Sequence, residues 1–203
     1  GLGWSLRRSE PEHAVSIYRR LHEMAPSNRQ VATNLASALL DLGRAPEAAK
    51  VYATLSSLGG GQAASDIGMA RLHLQQDARP LAWTRLLAAL RIRPFDAGVR
   101  SLLENLMLVG VSYDRLEQVR DLLYQEPARL SAFLLGGGRK TLAEVFSRLC
   151  APHAARDVLA ADGQPPADMR ERRVWRRMAL LTGDVATYLA DLRATFPASL
   201  LHD

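Results

Sequence analysis

The chain has 203 residues, 48% hydrophobic and 23% charged, a balance that excludes a disordered chain and fits an ordinary folded one. Its 26 basic residues against 21 acidic ones leave a net charge of +5, which favours anionic partners without selecting one. No apolar run approaches the roughly 18–20 residues that cross a bilayer, and the single cysteine, Cys150, excludes an intramolecular disulfide.

In chain order, Gly1–Ser9 reads as the second half of a helix, with Leu2, Gly3 and Leu6 on its inner face. Pro11–Ala25 is its partner, stopped by Pro26-Ser27-Asn28. The stretch 31–58 holds the clearest signal. Leu35, Ala36, Leu39 and Leu42 recur at helical spacing, Leu-Gly-Arg breaks the run, and Pro46-Glu47 restarts it. Proline suits a first helical turn because its missing N–H would have no partner there. Ala48, Val51, Tyr52 and Leu55 form the second stripe. Gly59-Gly60-Gly61 follows, and three glycines there read as a hinge, a close approach between helices, or a relaxed loop. A third pair of helices covers 63–76 and 79–93, with His73 on an apolar stripe as a packed histidine. A fourth covers 97–109 and 113–124. Beyond Pro127 helical periodicity continues over 130–135, 141–150, 153–161, 167–181 and 185–195. No stretch alternates as a strand does, so an all-α fold is expected.

A hairpin of this kind cannot bury both stripes alone, and its copies are spaced at 34 residues. Ala14, Ala48 and Ala82 are in phase. Each follows a proline (Pro11, Pro46, Pro80) and precedes a large apolar residue by four (Tyr18, Tyr52, Leu86). Each is followed, twelve residues on, by a helix stop (Pro26, Gly60, Pro94). In the fourth unit the small residue gives way to Leu116 or Arg115, and Gly110 and Pro127 match a register one residue earlier. This pattern resembles the tetratricopeptide repeat. The resemblance implies a right-handed superhelical solenoid of antiparallel helix pairs, with units at about 1–28, 29–62, 63–96 and 97–127. Residues 128–203 are then divergent hairpins or a cap with a polar outer face.

The resemblance also implies a concave groove lined by the first helix of each pair. Carried onto this chain, it selects Gln30, Thr33, Asn34, Ser37 and Asp41, then Ile67, Arg71, Leu74 and Gln75. Ser37, Arg71 and Asn105 are successive at the repeat period, giving a polar column if the fourth unit keeps phase. Ile67, Leu74 and Leu40 would add apolar contact. The family's carboxylate clamp, built from two Asn, two Lys and an Arg, is not reproduced. Asn34 fits one position, but Ala64 and Gly68 stand where Lys and Arg are needed. The register one unit later offers Thr33, Ser37, Gly68, Gly98 and Leu102. Docking of acidic chaperone tails through that clamp is therefore not expected.

Motifs for chemistry are weak. Gly136-Gly137-Gly138-Arg139-Lys140-Thr141 lacks the glycine directly before Lys-Thr that lets backbone N–H groups wrap a phosphate, and no strand precedes it. His13, His22, His73, His153 and His202 have no metal-ligand spacing, and Cys150 with His153 finds no second pair. Cys150 itself reads as a small buried hydrophobe. No metal, cofactor, small-molecule substrate or catalytic residue is expected. The densest charge lies at Met169–Met178. There Arg170, Arg173 and Arg177 share one helical face and Arg172 and Arg176 another, while Trp175 and Met178 face inward. These arginines form a solvated face or a basic patch for an acidic segment, anionic lipid or, with less support, nucleic acid, since aromatic interleaving is missing.

All basic residues but Lys50 and Lys140 are arginines, which with the alanine richness points to a GC-rich bacterial genome. The first residue is glycine, as expected of a processed chain or an excised piece. The expected compartment is the cytoplasm, or the periplasm if a signal lies upstream. The expected function is a non-catalytic scaffold or chaperone-like adaptor holding a protein or peptide, in a bacterial secretion, pilus or polysaccharide-export assembly. The alternative is the helical domain of a larger enzyme such as a glycosyltransferase.

Overall fold

A computed structural model describes residues 11–160 and 164–195. The expected helix at Gly1–Ser9, and His202, lie outside the described residues. Those described are mainly helical, with no β-strand among them, and the helices pack on chain neighbours. The chain divides into two compact units, Gly1–Leu106 and Met107–Asp203.

In the first unit, α1 (Pro11–Met24) starts on its proline and buries Ala14, Val15 and Tyr18. Asn28 caps α2 (Arg29–Asp41), its Oδ1 accepting from the N–H groups of Gln30 and Val31 at 3.1 and 3.2 Å. α2 buries Ala32, Leu35, Ala36 and Leu39, a stripe at helical spacing. α3 (Ala45–Ser57) carries Pro46 in its first turn and buries Ala48, Tyr52 and Leu55. α4 (Gln62–Gln75) and α5 (Arg79–Ile92) repeat the arrangement, α5 burying Ala82, Trp83 and Leu86. α4 packs on α3 and also on α2. The alanines at the repeat period, Ala14, Ala48 and Ala82, are all within 1% of full burial. That is what a close helix crossing requires of its small residue. Asp66, 1% exposed, is matched by Arg85 Nη1 at 2.9 Å and Gln62 Nε2 at 3.0 Å.

One turn joins the helices of each pair. After α2, Gly43 takes a left-handed backbone (φ 73°). Its N–H donates to Leu40 O at 3.0 Å, and the next N–H, of Arg44, donates to Leu39 O at 2.9 Å. This double bond closes a helix end and lets the chain reverse. After α4, Asp77 (φ 54°) repeats it, with bonds from Asp77 to Leu74 and from Ala78 to His73.

α6 (Ala97–Leu108) buries Val99, Leu102, Leu103, Leu106 and Met107. Counted back from the left-handed Gly110 (φ 93°), these positions match Ala32, Leu35, Ala36, Leu39 and Leu40 counted back from Gly43. α6 therefore sits one residue early in the period. The turn that follows is one residue longer, so Leu116, 3% exposed, returns to the position of Ala82 while Arg115 stays partly exposed. The larger side chain fills the place of the expected small one.

The second unit contains α7 (Tyr113–Tyr124), α8 (Pro127–Phe133), α9 (Arg139–Arg148), α10 (Pro152–Leu159), α11 (Met169–Leu181) and α12 (Val185–Thr195). Within this unit α7 packs on α8 and α9, and Tyr113 Oη donates to Leu149 O at 3.3 Å. A kink at the left-handed Gly137 (φ 85°) separates α8 and the turn that extends it from α9. The reversing turn recurs here. Cys150 (φ 56°) donates to Ser147 O and Ala151 to Phe146 O. Gly183 (φ 77°) donates to Leu180 O and Asp184 to Ala179 O. Helix pairs α9–α10 and α11–α12 thus share a joint with α2–α3 and α4–α5, although the sequence period is lost. This corrects the reading of Cys150 as buried. It occupies the turn's left-handed residue, on a corner, and its side chain is exposed.

Candidate functional site

The first helices of the pairs carry the residues selected for partner binding. On α2, Gln30 is exposed and Thr33, Asn34 and Ser37 are half-buried. Their polar atoms already have partners within the chain. Gln30 Nε2 donates to Asn34 Oδ1 at 3.1 Å, Thr33 Oγ1 donates to Arg29 O at 2.8 Å, and Ser37 Oγ lies 3.4 Å from Tyr52 Oη. The first two bonds face solvent, so their exchange for a bound backbone is nearly even in energy. On α4, Arg71 and Gln75 are exposed and Leu74 is half-buried.

Three selected positions are placed differently. Leu40 is 4% exposed and belongs to the core of the first unit. Ile67 is 8% exposed. Gly98, having no side chain, admits α6 so closely that a Cβ there would stand 3.3 Å from Ile67 Cγ2. A glycine thirty-one residues away thus covers the isoleucine. Asn105 is exposed on α6, but the one-residue advance of that helix puts Glu104, not Asn105, in the place of Ser37 and Arg71.

In the second unit, Asp168 caps α11 by accepting from the N–H groups of Arg170 and Glu171 at 2.8 and 3.0 Å. Arg170, Arg173 and Arg177 are exposed on the helix. Arg176, expected in the same basic patch, is 9% exposed and bonded to the carboxylate of Asp191 on α12. Arg172 Nε donates to the same carboxylate at 2.8 Å. Burial pushes the Asp191 carboxyl upward, and the two guanidiniums outweigh it, so its pKa lies below the ordinary 3.8. Two of the helix's arginines therefore hold α12 in place. Trp175 is buried beside them, with the Arg156 guanidinium 5.5 Å from its ring centre. Arg177 shares a depression of about 470 Å³ with Glu144, Ser147, Arg148 and Leu181. The acidic Glu144 in it offsets part of the positive charge.

Among the described residues, no group of three His, Cys, Asp or Glu side chains is gathered closely enough to hold a metal ion. His73 is half-buried, and its Nδ1 is buried without a hydrogen-bond partner. Desolvation, with Arg85 nearby, lowers its pKa from 6.5, so the ring favours the neutral form. The Gly136–Gly138 segment kinks at the left-handed Gly137, and Gly138 lies against the Phe133 ring. Arg29 and Arg93 were not selected by the repeat pattern. The available signal was local: α2 opens on an arginine, with no acidic residue in its first turn, against the usual preference for negative charge there.

Compared with known proteins, the chain matches no protein-family model and no curated protein.

Proposed function

We propose that the chain is a non-catalytic interaction module of tetratricopeptide-repeat type, stacked as a right-handed solenoid, which holds a segment of another protein along the first helices of its pairs. A place in a bacterial secretion, pilus or polysaccharide-export assembly fits this reading. The observation that carries it is the set of polar side chains these helices leave at the surface above a buried interior. α2 buries an alanine and leucine stripe and keeps Asn34 and Ser37 near the surface, and α4, buried on most sides, leaves Arg71 and Gln75 exposed. Side chains of this kind can pair with an extended backbone. With Ile67 and Leu40 committed to packing, Leu74 is the apolar contribution left on this surface, so recognition on it is mainly polar.

The test is selection of a displayed peptide library on the immobilised chain, followed by affinity measurements with the selected peptides. Arg71→Glu should weaken binding roughly tenfold, the loss of a charged hydrogen bond, while leaving helicity and melting unchanged. Arg173→Glu, on the exposed face of α11, should have no effect. Equal losses from both variants would count against this surface.

A further inference from the structure

The ends of α2, α4 and α5 enclose a cleft of about 290 Å³ in the first unit, lined by Arg29, Gln30, Gly60, Gly61, Ala64 and Arg93 among others. Its charge is unbalanced. Among the described residues, no carboxylate pairs with Arg29. Arg93 has only the distant Asp96, at 4.0 Å, and that carboxylate's other oxygen accepts from the Gly98 N–H at 2.7 Å. Neither α2 nor α4 has an acidic residue in its first turn. A cation at the start of a helix opposes the helix dipole, so Arg29 is placed at a local cost.

Its side chain is exposed. The Arg29 guanidinium lies where a Cβ on Gly60 would stand. The glycine thus gives the guanidinium a seat on the backbone at the mouth of the cleft. Two guanidiniums lining one concavity can act as a receptor for an oxyanion. Gln30, on the polar surface of α2, lines the same cleft, so an anion bound there would be continuous with a segment lying along that surface.

We infer that this cleft binds a carboxylate side chain of an acidic polypeptide segment, clamped between Arg29 and Arg93. The inference rests on the interaction-module reading above and adds the partner's chemistry to it.

The probe is a fluorescein-labelled peptide alternating Glu and Gly, with its Gln counterpart, titrated by anisotropy at low salt. The Glu peptide should bind at least tenfold tighter than the Gln peptide. Arg29→Gln and Arg93→Gln should each weaken it by roughly tenfold. Inorganic phosphate at matched ionic strength should compete. If the Glu peptide binds and Arg71→Glu releases it while Arg29→Gln and Arg93→Gln do not, the cleft is wrong and the interaction surface stands. If neither the Arg71 nor the Arg29 and Arg93 variants alter binding, both readings fall. Phosphate binding that depends on Arg29, without binding of the Glu peptide, would show a small-anion site and overturn the polypeptide assignment. Circular dichroism of each variant separates loss of binding from loss of fold.

Discussion

The ring of Tyr52 on α3 lies against the bare Cα of Gly68 on α4, where a Cβ would overlap the ring carbons. Tyr52 is 1% exposed and cannot swing outward without opening the core. Mid-helix glycine to alanine ordinarily gains about 0.5–1 kcal/mol. Here the sign should reverse. Gly68→Ala is expected to lower stability by about 1–3 kcal/mol through overpacking, read as a fall in the urea midpoint. A rise in that midpoint would mean that the two helices part freely.

The left-handed corners make a second prediction. A side chain in that conformation costs about 1–2 kcal/mol relative to glycine. Cys150→Gly should therefore stabilise the chain by about 1 kcal/mol, and the β-branched Cys150→Val should destabilise it. Gly183→Ala should cost about as much as Cys150→Gly gains. Thermal melts of the three variants test whether one joint serves these helix pairs.

Asp191 makes the second unit sensitive to acid. Its pKa is depressed in the fold, so the ion pairs with Arg172 and Arg176 contribute fully above the ordinary carboxyl value of 3.8. The contribution disappears as pH falls through the lower, folded value. Asp191→Asn, which leaves Arg176 buried without its counter-charge, should cost about 3 kcal/mol at neutral pH. It should also flatten the stability profile below about pH 4. An unchanged acid limb in that variant would assign the acid sensitivity elsewhere.

Ile67 and Arg71 lie one helical turn apart on α4 and should separate cleanly. Ile67→Ala is expected to lower stability by about 2–4 kcal/mol, since it empties a buried site against Gly98. Arg71→Glu should stay within about 0.5 kcal/mol of the parent, with its effect confined to partner affinity. A stability loss from the arginine change as large as that from the isoleucine change would place Arg71 in packing.

The sequence disclosed the helices wherever packing is local. Ala14, Ala48 and Ala82 could be read because these close crossings are filled by a small residue, and Pro46 and Pro80 because a first turn accommodates them. What it hid depended on distant partners. Ile67 looked open on its own helix and is closed by a glycine on another. Arg176 looked like its exposed neighbours on the helix, and only Asp191, fifteen residues on, decides that it turns inward. Asn105 was placed one residue off, because α6 itself sits one residue early against the period and a fixed period cannot register that. Cys150 was misjudged from the habits of free cysteines, since its backbone angle is set by the two hydrogen bonds of the turn.

The one thiol in the chain stands at a solvent-facing bend between two helices, away from Asn34, Arg71, Arg29 and Arg93 in sequence. A maleimide dye or spin label can therefore be attached at a single defined point without engineering. The reporter would read tumbling of the second unit while the surfaces assigned to ligands in the first remain chemically unaltered.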